Sequence, residues 1–250
     1  MELALLLGSG VSFASELPDV RELTRRVMSE PLWGSPADDR FHRGQPHGQF
    51  VELANPVAVL RSFLRLLYED AERYLGDRER GEPTYEDLFY LAKQIQRERG
   101  RAYLNPAVAP YVDSVEARSV EIRAEYWALL RSDESREPAP LLDMAVRAAD
   151  FIDSVVRSSL HHDGPVAGLD LIGELARHPE VSRLHIATLN HDTLAEQYLE
   201  KQGIPFTDGF GPRDGDVRWF SPAAYDDADD GVILYKLHGS IDWYHFFGQG

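Results

Sequence analysis

A short, largely apolar run that stops on two polar residues constrains the fold of this chain more than any other feature. Residues 184–188 (LHIAT) have the composition of a buried strand, and Asn190 and Asp192 follow it directly. Helical spacing of apolar residues then begins at Thr193 and stops before Gly203, which suits the position just after a helix end. Because ligands of open α/β sheets bind at the carboxyl ends of the strands, we expect a ligand site at Asn190 and Asp192.

Two further apolar runs end in similar turns. Leu3–Leu7 is typical of a parallel strand covered on both faces, and it leads into the segment Gly8–Ser12 (GSGVS). Glycines there would let a phosphate approach the backbone, although a plain tight turn explains the same residues about as well. Val232–Tyr235 leads into Lys236–Ser240 (KLHGS), where His238 is either a base or a buried core histidine. The carboxyl ends of parallel strands share one sheet edge, so the three turns are predicted to meet.

The region between the first two of these strands is predicted to be helical. Asn55-Pro56 is typical of a helix start, and a second helix is predicted from Thr84. Residues 120–130 and 141–160 carry the apolar spacing of two more helices. A helical segment covering 55–162 is larger than a simple crossover between parallel strands. The predicted fold class is therefore α/β, a Rossmann-like parallel sheet with a large helical insertion.

The composition excludes several classes of protein. The 42 Asp and Glu residues outnumber the 26 Lys and Arg residues, and the resulting charge of −16 argues against direct nucleic-acid binding. The chain has no cysteine, which excludes disulfides and thiol nucleophiles and suits a reducing cytoplasm. No apolar run approaches the roughly 20 residues of a membrane helix. We expect no metal, since His42, His47 and His161-His162-Asp163 lack the pattern of a ligand set.

Four short motifs, in this order, resemble those of sirtuins. GSGVS at Gly8–Ser12 resembles the sirtuin GAGxS, and LPDVR at Leu17–Arg21 resembles the PDFR cofactor loop. TLNHD at Thr188–Asp192 resembles TQNID, and KLHGS at Lys236–Ser240 resembles the family's HGS. The four motifs extend over most of the chain. This resemblance implies that residues 1–250 form a sirtuin-like NAD-binding domain.

The resemblance also implies a role for each matching residue. Asn190 would contact the nicotinamide ribose and order a water molecule, Asp192 would bind the carboxamide, and His238 would act as a base on a ribose hydroxyl. Such roles are chemically sensible, because cleavage of the glycosidic bond creates an oxocarbenium-like ribose that oriented polar groups stabilise. The remaining residues implied to hold NAD are Gly8, Ser9, Gly10, Ser12, Asp19, Arg21, Thr188, Gly239 and Ser240.

Some features depart from the sirtuins that deacylate proteins. Those enzymes carry a zinc module of four cysteines, which this chain lacks. Val20 stands in place of the loop Phe, and His191 in place of the usual Ile. These departures, with the helical insertion, resemble sirtuin-like effector domains of bacterial antiphage systems. That resemblance implies an NAD glycohydrolase that depletes NAD in the cytoplasm and works as a homo-oligomer or with another subunit of a defence system.

Two other functions stay open from the residues alone. The first is an NAD-dependent deacylase or ADP-ribosyltransferase, and the second is a non-catalytic module that senses a nucleotide. We also expect the chain to be part of a longer protein, because three parallel strands are few for a doubly wound sheet.

Overall fold

A computed structural model describes residues 1–29, 50–75, 81–101, 105–130, 140–215, 217–226 and 231–244; His42 and His47 lie outside these ranges. The chain has an α/β fold that divides into two compact units. The sheet unit contains Met1–Asp19 and Ser159–Gly250, and the helical unit contains Val20–Ser158. A parallel sheet with a helical insertion, as predicted, is confirmed. The helical unit begins earlier than the predicted boundary at residue 55, because its first helix packs on the two that follow.

The first and the last of the described elements are strands of the same sheet. In chain order they are β1 (Glu2–Leu7), a 3₁₀ helix (Ser9–Ser15), α1 (Val20–Ser29), α2 (Phe50–Leu75), α3 (Tyr85–Arg99), α4 (Ala109–Arg118), α5 (Val120–Leu130), α6 (Leu141–Leu160), α7 (Asp170–Ala176), β2 (Arg183–Thr188), α8 (Leu194–Lys201), β3 (Phe206–Thr207), β4 (Phe210–Asp214), β5 (Val217–Phe220), α9 (Ala223–Asp226) and β6 (Gly231–Lys236).

Four parallel strands form the sheet in the order β1-β2-β6-β3. Leu7 pairs with Thr188, and Thr188 pairs with Lys236, so three strands end at the same level. The three strands predicted from apolar runs are confirmed. The fourth, β3, has only two residues, and a segment this short carries no periodic signal. β4 and β5 form a separate antiparallel hairpin.

The first strand lies at an edge of the sheet. No residue of β1 is fully buried, and Leu6 is 69% exposed. The expectation that β1 is covered on both faces is therefore wrong. On β2, in contrast, Leu184, Ile186 and Thr188 are buried and alternate with half-buried residues. A continuous aliphatic run thus does not distinguish an edge strand from a central strand.

The helical unit follows its apolar pattern closely. The predicted helices at 120–130 and 141–160 are confirmed as α5 and α6. The predicted start at Asn55-Pro56 is wrong, because α2 begins at Phe50 and carries Pro56 in its second turn. Proline has no N–H, so it removes one backbone hydrogen bond from that turn without ending the helix. No helix within the described ranges combines the length and apolar composition needed to cross a membrane.

A capping box fixes the start of α3, at the position that the sequence predicts. The Thr84 hydroxyl accepts a hydrogen bond from the Asp87 amide, and the Asp87 carboxylate accepts one from the Thr84 amide. The following residues Leu88, Ala92 and Ile95 are fully buried, so the cap sets the direction in which this apolar stripe enters the core.

We predict that Thr84→Ala lowers the free energy of unfolding by about 1 kcal/mol, because it removes the side-chain oxygen that caps the helix. Urea denaturation followed by circular dichroism measures this loss. Thr84→Ser, which keeps the hydroxyl, is the matched control and should lose less than half as much. Equal losses in the two variants would show that the methyl group matters and the cap does not.

Candidate functional site

The three predicted turns meet at one edge of the sheet unit. Beyond the paired ends of the strands, the Leu189 amide donates to the Leu7 carbonyl at 3.2 Å. In the same way, the Leu237 amide donates to the Thr188 carbonyl at 2.9 Å. The ladder thus continues one residue past β2 and past β6, and it holds the three turns side by side.

The Gly8 turn leads into a 3₁₀ helix, where an α-helix would follow in a Rossmann fold. Ser9 and Gly10 are exposed, and a Cβ atom built on Gly8 or Gly10 would meet nothing within 4 Å. Space is therefore open around this backbone. Ser12, in contrast, is only 5% exposed and points its hydroxyl toward the neighbouring turn.

A buried hydrogen bond connects the first turn to the second. The Ser12 hydroxyl donates to Oδ2 of Asp192 at 2.7 Å and accepts from Nδ2 of Asn190 at 3.0 Å. Nδ2 of Asn190 also donates to the Gly8 carbonyl at 3.1 Å. Three polar side chains that the sequence predicts as site residues are therefore joined in one network.

Asp192 is held from three directions. Its Oδ2 accepts from Ser12, its Oδ1 accepts from the Leu194 amide at 3.1 Å, and its main-chain carbonyl accepts from the Lys236 ammonium. The residue is only 6% exposed. The bond to Leu194, the first residue of α8, spans two residues as in an Asx turn and ties the carboxylate to the start of this helix. Asp192 thus joins the first turn, α8 and β6.

Asn190 is the more accessible member of this network. Its main-chain amide donates to the Thr188 hydroxyl at 3.0 Å, and its Nδ2 is engaged by Gly8 and Ser12. Its side-chain carbonyl oxygen accepts no hydrogen bond within the part of the chain that the structure describes. Because both amide protons are engaged by Gly8 and Ser12, this oxygen is the group that Asn190 can offer to a ligand.

The third turn brings two histidines together. His238 is exposed, and its ring centroid lies 6.0 Å from that of His191 with a tilt of 38°. The main-chain carbonyl of His191 accepts from the Ser240 hydroxyl at 3.3 Å and from the Ile241 amide at 2.9 Å. Gly239 adopts φ of +82°, a backbone conformation that favours glycine. His238 is therefore not a buried core histidine, and the turn is tied directly to the segment after Asn190.

A buried ion pair lies at the same edge, and sequence analysis missed it. The Lys236 ammonium is 3.2 Å from Oε1 of Glu196, and the two side chains are 1% and 15% exposed. Burial raises the pKa of Glu196, and the charge of Lys236 opposes this shift. A lysine at the end of an apolar strand was the one signal available from the sequence. Its partner on α8 is forty residues away, and no spacing rule connects the two.

The other predicted residues are placed as follows. Asp19 is half-buried and belongs to the sheet unit, whereas Arg21 is exposed in the first turn of α1 and belongs to the helical unit. His161 and Asp163 form an exposed contact of 3.1 Å. Among the described residues, no group of three or more His, Asp or Glu side chains is arranged to hold a metal ion.

Comparison of the chain with protein-family models and with curated proteins finds no match. The resemblance to sirtuins therefore rests on the four motifs.

We predict that Ser12→Ala lowers the free energy of unfolding by about 1–3 kcal/mol, because it leaves a buried Asp192 oxygen and an Asn190 proton without their partner. Urea denaturation measures the loss. Ser9→Ala is the matched control, since Ser9 is exposed on the same turn, and it should change stability by no more than about 0.5 kcal/mol. A Ser12→Ala variant as stable as Ser9→Ala would contradict the network.

Proposed function

We propose that this chain is an NAD glycohydrolase, which cleaves NAD into nicotinamide and ADP-ribose with water as the acceptor. The observation that supports this most is the state of Asn190 at the shared sheet edge. Its amide protons are held by Gly8 and Ser12, and its carbonyl oxygen has no donor among the described residues. A preoriented acceptor at the same sheet edge as an exposed histidine suits the activation of water next to a cationic sugar.

In the proposed reaction the bond between C1′ of the ribose and the nicotinamide nitrogen breaks. Nicotinamide leaves with the bonding electron pair, and positive charge develops on the ribose. The oxygen of a water molecule then bonds to C1′, and one proton of that water passes to the solvent. The Asn190 oxygen accepts a hydrogen bond from this water or from a ribose hydroxyl. His238 acts as base on a ribose hydroxyl and returns that proton to the hydroxyl once the new bond to C1′ has formed. No metal is needed for this step.

The roles of the remaining residues divide by accessibility. Gly8, Ser9 and Gly10 present an open turn that suits the pyrophosphate, because backbone amides bind phosphate where no Cβ intervenes. Ser12 and Asp192 are buried and bonded to each other, so we assign them mainly to holding Asn190. The second role assigned to Asp192, binding the carboxamide, is limited to the small part of the residue that is exposed. Asp19, Arg21, Thr188, Gly239 and Ser240 stay assigned to NAD on the sirtuin resemblance alone.

We further propose, from the resemblance to antiphage effectors, that the activity depletes NAD in an infected bacterial cell. A homo-oligomer or a complex with a second defence subunit belongs to the same proposal.

The proposal is tested by incubating the purified protein with NAD and measuring nicotinamide by liquid chromatography. We expect Asn190→Ala and His238→Ala each to lower kcat at least about 100-fold, the usual effect of removing a positioned polar group or a base. His161→Ala, an exposed histidine of the same unit, is the matched control and should keep the wild-type rate. Undiminished release in both site variants would refute the assigned roles.

The same preparation distinguishes the two other functions. An NAD-dependent deacylase would form O-acetyl-ADP-ribose from an acetyl-lysine peptide and NAD, and an ADP-ribosyltransferase would add mass to a protein acceptor; mass spectrometry detects both. A sensing module would bind NAD or ADP-ribose in calorimetry without any turnover. Each of these results would replace the glycohydrolase.

A further inference from the structure

The ion pair between Lys236 and Glu196 places two charged groups in the protein interior, which is energetically unfavourable. Lys236 is the last residue of β6, and its side chain is 1% exposed. Removing two charges from water costs free energy, and apolar residues of similar volume often serve stability equally well or better. The second carboxylate oxygen of Glu196, Oε2, is also buried and has no hydrogen-bond partner among the described residues. The pair is therefore poorly explained as a device for stability.

The Lys236 ammonium makes one contact that an apolar side chain could not replace. It donates a hydrogen bond to the main-chain carbonyl of Asp192 while it pairs with Glu196. Glu196 lies in the first turn of α8, and Asp192 lies in the turn between β2 and α8. One ammonium thus connects the end of β6 with this turn and with the first turn of α8.

Asp192 is in turn linked to Asn190 through the Ser12 hydroxyl. Asp192 binds the Ser12 hydroxyl, and the same hydroxyl accepts from Nδ2 of Asn190. A shift of the Asp192 backbone therefore changes the orientation of the Asn190 amide through Ser12. Displacement of a reacting group by about 1 Å can cost about 100-fold in rate.

We propose that Lys236 is a positioning residue, which anchors the main-chain carbonyl of Asp192 and so keeps Asn190 oriented at the site, with Glu196 as its buried counter-ion. The effect on catalysis rests on the proposed NAD glycohydrolase function. The anchoring of the turn does not depend on that function.

The test separates positioning from stability by comparing three proteins. Lys236→Met leaves Glu196 unpaired, whereas the double variant Lys236→Met/Glu196→Leu removes both charges and fills the space with apolar atoms. We expect the double variant to unfold within a few degrees of the wild type, and yet to have kcat for NAD cleavage lowered about 10- to 100-fold, with KM changed less than about threefold. Glu200→Leu/Lys201→Met, an exposed pair of the same types on α8, is the matched control and should keep the wild-type kcat.

A purely structural role predicts the opposite result, namely that activity returns together with stability in the double variant. That outcome would overturn the proposal. Glu196→Gln provides a second comparison, because it removes the counter-ion and keeps the lysine donor. We expect its kcat to exceed that of Lys236→Met at least fivefold, and equal losses would show that the ion pair itself, and not the bond to Asp192, is what matters.

A measurement without NAD keeps the two proposals distinguishable. Amide hydrogen exchange by NMR follows the Leu194 amide, which donates to Asp192, and the Leu189 amide, which donates to Leu7. In the double variant we expect Leu194 to exchange at least about tenfold faster, with Leu189 unchanged. If the wild type fails to cleave NAD but Leu194 responds in this way, the proposed function fails and the anchoring role stands. Unchanged exchange at Leu194 would refute the anchoring role whatever the activity.

Discussion

The hydrogen bond from the Ser12 hydroxyl to the Asp192 carboxylate is the contact on which the arrangement of this sheet edge depends. It joins residues 180 positions apart, is buried, and measures 2.7 Å. A bond from a hydroxyl to a carboxylate is stronger where water is excluded, and an unpaired carboxylate in the same place would be costly. Asp192 also accepts hydrogen bonds from Leu194 and Lys236. This one residue therefore holds the first turn, α8 and the end of β6 together.

The site consequently has a buried layer and an accessible layer with different duties. Ser12, Asp192 and Lys236 have their polar atoms bonded within the protein and are shielded from solvent. Asn190 is half-buried and His238 is exposed, so a ligand can reach their polar groups. Catalysis by oriented groups requires such a division, because a side chain that contacts the reacting atoms keeps its place only if others restrain it.

Sequence patterns predicted the helices and strands better than the solvent exposure and the long-range contacts of those elements. Apolar periodicity located α5 and α6, and the apolar run before Asn190 located β2, because both signals are local. The exposure of β1 was not predictable, since the same aliphatic composition suits an edge or a central strand. The two-residue β3 and the contact between Lys236 and Glu196 were missed for a related reason, as each depends on which distant segments become neighbours. The meeting of the polar turns at the candidate site was predictable where a polar residue directly follows a strand, and not where a buried partner supports it.

The motifs lie far apart in the sequence, and the site nevertheless depends on contacts between them. β1 and β2 pair directly although the whole helical unit lies between them in sequence. The entropy lost on closing a loop grows only with the logarithm of its length, about 0.6 kcal/mol for each doubling. A folded insertion therefore adds little to the cost of bringing Gly8 and Asn190 together, and the strand ladder with the Ser12 to Asp192 bond can offset it. The contacts that hold Asn190, made with Gly8, Ser12 and Thr188, all lie within the sheet unit.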